Sequence, residues 1–234
     1  HVEAGLRTNN IHRPFPEELN RNLVSKMAFL NFAPTEKNKN SLLKENINEN
    51  KIFVTGNTVI DSLLWTTNRT KNFSSSDFKL IEKLFYSDKK IILLTAHRRE
   101  NIGEGIDSIC ESVLNLVDKF DDVSFIIPVH PNPNISGILN TKLSNHNKII
   151  LIEPMSYPDF VLLIKNSWLI LTDSGGLQEE APSLGVPVLV LRTETERKEA
   201  IDAGTVKLIG TDKKMIIKNF EKLYNDNESY KKMA

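Results

Sequence analysis

Residues able to move a proton or hold an anion stand directly after apolar runs of strand length at several points in this chain. The run 90–95 leads into Ala96-His97-Arg98-Arg99-Glu100-Asn101, 123–127 into Pro128-Val129-His130-Pro131-Asn132-Pro133, and 168–172 into Asp173-Ser174-Gly175-Gly176. The run ending at Ile152 is followed by Glu153-Pro154-Met155 and then Phe160. A histidine with two arginines can hold an oxyanion and present a group that titrates near neutral pH. Two glycines between a strand and a helix let the backbone approach a bound group closely. They also leave the first N–H groups of the helix unpaired, an arrangement that attracts phosphate. Glu179 and Glu180 follow in the first turn or so. A carboxylate there suits the helix dipole and can equally accept hydrogen bonds from a ribose. A tight turn followed by ordinary N-terminal acids contains the same residues, and the glycine pair alone does not separate the two readings.

A second concentration lies within residues 1–22: His1, Glu3, Arg7, His12, Arg13, Glu17, Glu18 and Arg21. Pro16-Glu17-Glu18 reads as a helix start, with proline early and acids in the first turn, and locally a dipole role for both acids suffices. The same local test leaves His97-Arg98-Arg99 the stronger site, because it follows a strand that reads as fully buried. His130 among its prolines is evenly balanced, and His12 and His146 read as surface residues.

The elements that must position these groups alternate. Strands are expected near 27–33, 51–55, 90–96, 123–129, 149–152, 168–172, 188–191 and 206–209, and helices near 34–46, 58–66, 102–120, 157–166 and 213–224. Apolar runs without alternation imply strands covered on both faces, as in a doubly wound parallel sheet, where ligands collect beyond the carboxyl ends of the strands. The polar stretch 66–77, rich in Thr, Asn, Lys and Ser, marks a composition shift. It places a domain boundary between 56 and 77, with one domain over 1–60 and a second over 61–234.

Composition narrows the function classes. Lys+Arg 30 against Asp+Glu 30 gives zero formal net charge, so nothing calls for nucleic acid or an anionic membrane. The longest apolar runs fall far short of the roughly 20 residues that span a bilayer. The opening residues, with Glu3, Arg7 and Arg13, lack the apolar core of a signal peptide. One cysteine, Cys110, at a buried helical position, fits a reducing cytoplasm. There is no His/Cys spacing for a metal, no Walker loop and no GxGxxG after a strand. The opening HVEAGLR reads as the end of a strand entering a loop, from which we expect further chain upstream of His1.

Taken together, HVEAGLRT at 1–8, RPFPEELNR at 13–21, VTGNTVID at 54–61, AHRREN at 96–101, PVHPNP at 128–133 and TDSGGLQEEAPSLGVPVLVLRTETERKEA at 172–200 closely resemble the non-hydrolysing UDP-N-acetylglucosamine 2-epimerases. The resemblance runs through essentially the whole chain in order. It implies an α/β fold of two Rossmann-like domains of glycosyltransferase-B type, the first incomplete here. The implied reaction interconverts UDP-GlcNAc and UDP-ManNAc by eliminating UDP to a 2-acetamidoglucal and adding it back with C2 inverted, without metal or nicotinamide. It further implies a cytoplasmic homodimer that supplies surface polysaccharide synthesis.

Carried over by position, Glu3, Glu17 and His97 match the acid/base and stabilising residues, with the mover of the C2 proton left open. Ser174, Gly175 and Gly176 match the diphosphate loop, Glu180 the ribose carboxylate, Arg197 a UDP-binding arginine and Phe160 the neighbour of the uracil. His130 matches a second, allosteric UDP-GlcNAc site. Met155 departs from the family's glutamine: a backbone contact there would survive, whereas an amide contact to uracil would be weakened. The family's upstream half and final helix have no counterpart in these residues, so the chain by itself is expected to be inactive, with residues 1 to about 55 poorly held. Two alternatives remain: a hydrolysing UDP-GlcNAc 2-epimerase, and a non-catalytic UDP-sugar-binding module. A retaining glycosyltransferase of the same fold is disfavoured by HVEAG and PEE.

Overall fold

Side chains in the unbroken apolar runs alternate between two cores. Ile92, Leu94, Phe125, Ile127, Leu169, Leu171 and Leu189 face one cluster, and Ile91, Leu93, Ile126, Ile170, Val188 and Val190 face the other. A strand with both faces buried needs apolar residues at every position, which is why these runs lack a polar period. The computed structural model describes residues 1–75 and 78–234. Ser76 and Asp77, at the end of the polar stretch expected to carry the domain boundary, lie outside the described residues. The chain divides into two compact units, His1–Ser62 with Glu194–Lys198, and Leu63–Thr193 with Glu199–Ala234. The membership of 194–198 in the first unit is a return that reading along the chain does not reveal.

The first unit holds α1 (Glu17–Met27), β1 (Asn31–Ala33), α2 (Glu36–Lys44), β2 (Ile52–Val54) and the start of α3 (Thr58–Arg69). β1 and β2 pair in parallel, and Val2 bridges to Phe32. The strand expected from residue 27 begins only at Asn31, because 27 closes α1. That helix buries Glu18 and Ser25 and exposes Leu23, Val24 and Met27, so its apolar residues give no sign of its inner face. Arg7 is buried and clamps Glu45 through Nε at 2.7 Å and Nη2 at 2.9 Å, tying the N-terminal loop to the end of α2.

The second unit continues with α4 (Lys79–Phe85), β3 (Lys90–Thr95), α5 (Glu104–Lys119), β4 (Val123–Pro128), α6 (Pro133–Leu143), β5 (Ile149–Ile152), α7 (Tyr157–Lys165), β6 (Leu169–Thr172), α8 (Leu177–Glu180) and β7 (Val188–Val190). After α9 (Lys198–Asp202) come β8 (Val206–Leu208), α10 (Lys213–Asn225) and α11 (Asn227–Met233). The six strands are all parallel in the order β5-β4-β3-β6-β7-β8. Helices α5, α6, α10 and α11 cover one face, and α4, α7 and α8 the other. The α/β class and the doubly wound parallel sheet are therefore as expected. The strand order reverses between β3 and β6, the point beside which ligands bind in such sheets.

Helices α4, α6, α9 and α11 were not expected from the sequence, and α3 runs past residue 66 to Arg69, into the polar stretch. α11 is mostly polar. It is held by Tyr230, whose ring stacks on Trp168 at 4.9 Å and whose hydroxyl donates to the Trp168 carbonyl at 2.7 Å.

Gly5 adopts φ +88°, and a Cβ there would fall into the Asn38 backbone carbonyl at the start of α2; Gly56 adopts φ +75° with open space around it. Gly56→Ala is therefore expected to cost only the left-handed backbone penalty of about 1–2 kcal/mol. Gly5→Ala should add a further ~1–3 kcal/mol of overpacking. Native-state hydrogen exchange of the α2 amides measures both, and equal losses would remove the Asn38 contact from this account.

Candidate functional site

At the reversal of strand order, Thr95 closes β3 and Thr172 closes β6, in register, with their hydroxyl oxygens 2.6 Å apart. Beyond them the Asp173 N–H still donates to the Thr95 carbonyl at 3.2 Å, and there the backbone pairing of the two strands ends. The buried side chain of Asp173 takes over the pairing across this gap. Its carboxylate accepts from the His97 N–H at 3.0 and 3.1 Å, the Arg98 N–H at 2.8 Å and Asn101 Nδ2 at 2.9 Å. His97 Nδ1 lies 3.3 Å from the same group. Asp173 was not among the expected site residues, yet it fixes the backbone that carries His97. Its signal in the sequence was an acid standing directly after a fully buried strand. Within the loop so held, the Arg98 Nε is buried with no acceptor among the described residues.

The Thr172 hydroxyl also accepts from the Ser174 N–H at 2.9 Å, which turns the chain away from the sheet. The next three N–H groups, of Gly175, Gly176 and Leu177, have no acceptor among the described residues. Unpaired donors are what the sequence leads one to expect of this turn. The helix behind them is a single turn, Leu177–Glu180, followed by a 3-10 turn at Pro182–Leu184. Attraction for an anion at this turn therefore rests on the three donors themselves rather than on a long helix dipole. Gly176 has ordinary helical angles, φ −60° and ψ −43°, and its lack of a side chain makes room for a neighbour: an added Cβ would stand 3.3 Å from Glu180 Oε2.

A cavity of about 300 Å³ opens at this edge, lined by Thr95, Ala96, His97, Pro128, Val129, His130, Pro131, Pro154, Met155, Phe160, Ser174, Leu177 and Glu180. The structure thus brings together His97, His130, Met155, Phe160, Ser174 and Glu180. The strand ends put His97 and His130 on one edge and the resemblance gave them separate roles; here their rings stack at 5.7 Å, 13° from parallel, in one cavity. Glu180 Oε1 accepts from the Tyr157 hydroxyl at 3.0 Å, a second contact not anticipated from the sequence.

The other expected residues lie in the first unit. Glu3 has a left-handed backbone, φ +58°, and its carboxylate accepts from Asn57 Nδ2 at 2.8 Å. Non-glycine residues are held in that region only where surrounding contacts enforce it, and such positions cluster at functional sites. Glu17 is exposed at the start of α1, whereas Glu18 is buried and accepts from the Thr8 and Asn9 N–H groups, both at 3.0 Å. The two adjacent acids therefore differ: Glu18 shapes the loop and Glu17 is open to a ligand. Arg197 pairs with Glu196 at 2.6 Å, and Glu196 with Arg21 at 3.2 Å. Among the described residues no cluster of His, Cys, Asp and Glu is suited to a metal ion, and no helix is long and apolar enough to cross a membrane.

The pKa of His97 lies below its ordinary value. Burial is the main cause, opposed by the Asp173 carboxylate and reinforced by Arg98 and His130. It is consequently neutral at pH 7 and able to accept a proton. The unfolded chain binds that proton more readily, so His97 favours the folded state above its ordinary pKa of about 6.5 and withdraws that support as the pH falls. His130→Ala removes a neighbour that helps hold the His97 pKa down and opens the ring face to water, and both effects should raise the His97 pKa. NMR titration of the His97 ring checks this, and an unchanged or lower midpoint would contradict it.

Comparisons with known proteins agree along the whole chain. A family model described as UDP-N-acetylglucosamine 2-epimerase matches residues 1–234. A UDP-N-acetylglucosamine 2-epimerase of Neisseria meningitidis is 51% identical over 237 residues, covering 100% of this chain and 63% of that protein. The crystal structure of a UDP-GlcNAc 2-epimerase from Neisseria meningitidis bound to UDP-GlcNAc superposes with a TM-score of 0.91 at 49% identity, over 100% of this chain and 63% of that one. The Methanocaldococcus jannaschii UDP-GlcNAc 2-epimerase, in complex with UDP-GlcNAc and UDP, gives 0.83 at 38% identity, over 100% and 67%. The chain spans about three-fifths of the length of the curated relatives it matches. With motifs, sheet topology, cavity and these likenesses in agreement, the chain belongs to the UDP-N-acetylglucosamine 2-epimerase family.

Proposed function

We propose that this chain carries the nucleotide-diphosphate side of an enzyme that reversibly interconverts UDP-GlcNAc and UDP-ManNAc. The observation that carries the reading is the edge at the β3/β6 reversal. There three unpartnered N–H groups, a carboxylate at Glu180 and the ring of Phe160 gather with a neutral imidazole. A diphosphate needs donors, a ribose needs an acceptor for its hydroxyls and a uracil needs an apolar wall, and the edge supplies one of each.

In the proposed reaction a base removes the C2 proton while the C1–O bond to UDP breaks. The electron pair of the C–H bond becomes the C1–C2 double bond of the glucal, and UDP leaves with the electrons of the C1–O bond. Re-addition of UDP at C1 with delivery of a proton to the opposite face of C2 completes the inversion. Charge developing on the leaving diphosphate is met by the Gly175, Gly176 and Leu177 N–H groups, which are fixed before the reaction and need no reorganisation. Glu3, Glu17 and His97 are the proposed groups for proton transfer and charge stabilisation, Ser174 a further diphosphate contact and Arg197 a cation for UDP. His130, stacked on His97, is the proposed contact of a second nucleotide-sugar. Neither metal nor nicotinamide enters this scheme. We further propose a homodimer acting in the cytoplasm and feeding ManNAc units to surface polysaccharide; the single unpaired cysteine suits that compartment.

Calorimetric titration of UDP into the 234-residue chain tests the reading. Binding should weaken at least about tenfold in Glu180→Ala, as expected for loss of hydrogen bonds to a charged acceptor, and also in Gly176→Ala, which pushes against that carboxylate. In any form of the protein that turns over UDP-GlcNAc, His97→Ala should lower kcat by about 10²-fold or more. A folded chain that binds no UDP would remove this cavity as the nucleotide site.

A further inference from the structure

Glu180 sits on a one-turn helix and projects a side chain with three rotatable bonds toward the cavity, so its direction must be set by something other than the helix. A contact that helps set it comes from α7. The Tyr157 hydroxyl donates to Glu180 Oε1 at 3.0 Å, while Oε2 rests beside Gly176, where any Cβ would crowd it at 3.3 Å. The start of α7 is itself anchored. Ser156 caps the helix, and the buried Asp159 carboxylate accepts from the Ser74 N–H at 2.7 Å, the Ser74 hydroxyl and the Ser156 hydroxyl at 2.8 Å. Tyr157 is thus a donor on a fixed backbone, 23 residues away in sequence from the carboxylate it holds.

We propose that Tyr157 is a specificity-determining positioning residue: it holds the Glu180 carboxylate ready for the hydroxyls of a nucleotide ribose and makes the site selective for ribose over deoxyribose. The inference rests on the reading of Glu180 as the ribose acceptor. Each carboxylate oxygen has two lone pairs, so the phenol on Oε1 leaves that oxygen able to accept again. A carboxylate already held in place loses less conformational freedom when the ligand arrives, and that advantage reaches only ligands carrying the hydroxyls. Burial, with Glu180 nearby, pushes the Tyr157 pKa up to about 12, so the phenol stays protonated and donating throughout the neutral range.

The test compares UDP with 2′,3′-dideoxy-UDP, which keeps the diphosphate and uracil and lacks both hydroxyls. The unaltered chain should prefer UDP by about tenfold. In Tyr157→Phe, which keeps the ring, that preference should shrink to about two- or threefold through weaker UDP binding, with dideoxy-UDP affinity unchanged. In Glu180→Gln the preference should also collapse, and adding Tyr157→Phe to it should change the ratio no further. A full preference surviving in Tyr157→Phe, or an equal loss for both ligands, overturns the proposal while leaving the nucleotide site in place. Equal binding of the two nucleotides by the unaltered chain overturns it together with the Glu180 assignment. No binding of either by a folded chain overturns the site reading itself.

Discussion

The site depends on one buried carboxylate. Where β3 and β6 end, two backbones diverge at the carboxyl edge of the sheet, and Asp173 closes the gap by accepting from the His97 and Arg98 N–H groups and from Asn101. Burying an ion costs several kcal/mol, offset only where hydrogen bonds satisfy it fully. Charge-assisted bonds of about 1.5–3 kcal/mol each meet that condition here. The result is directional: the backbone entering His97 can take one path, and the imidazole is placed before any ligand arrives. Asn101 Nδ2 also reaches the Leu191 carbonyl at 3.3 Å, so the same group ties the end of β7 to the site.

The sheet explains why this edge can be so polar. Both faces of every central strand are consumed by apolar packing, so polar chemistry is confined to the strand ends. That confinement also made the core legible in the sequence: six apolar runs yield six strands, and the residues that follow β3, β4, β5 and β6 line the cavity. Strand order was not legible. The β3/β6 neighbourship joins residues 77 apart through Thr95 and Thr172, and no local pattern encodes it. Helices were harder where their own pattern is weak. α6 buries only Ile135, Leu139 and Leu143, and it carries a glycine in mid-helix; α11 buries only Met233. Tertiary packing rather than propensity holds such segments helical.

Within the site, residue types at strand ends could be read directly, while contacts between them could not. His97 and His130 stood in separate motifs and received separate roles, yet adjacent strands β3 and β4 bring their rings face to face. A ligand anion beside His130 therefore acts on the same electrostatic environment that sets the proton affinity of His97. The proposed second nucleotide site and the proposed proton-transfer group form a single electrostatic unit. In the first unit the adjacent acids Glu17 and Glu18 were equivalent as letters. The resemblance singled out Glu17, and the fold adds the physical reason by turning Glu18 inward onto two backbone N–H groups.

The glycine turn shows how a correct reading can rest on an incomplete reason. Glycines after a strand suggest backbone freedom and close approach of a ligand, and the open N–H groups of Gly175 and Gly176 agree with that. Gly176, however, needs no special φ, since its angles are those of any helical residue. What it supplies is the space beside Oε2 of Glu180, four residues on, which the helix brings back over it. Tyr157 holds the other oxygen of the same carboxylate. The turn therefore does two things with one pair of small residues: it exposes donors for an anion and it admits the acid that would face the sugar. A side chain at 176 would disturb the acid while leaving the backbone conformation intact, so the constraint on this position comes from Glu180 rather than from the turn.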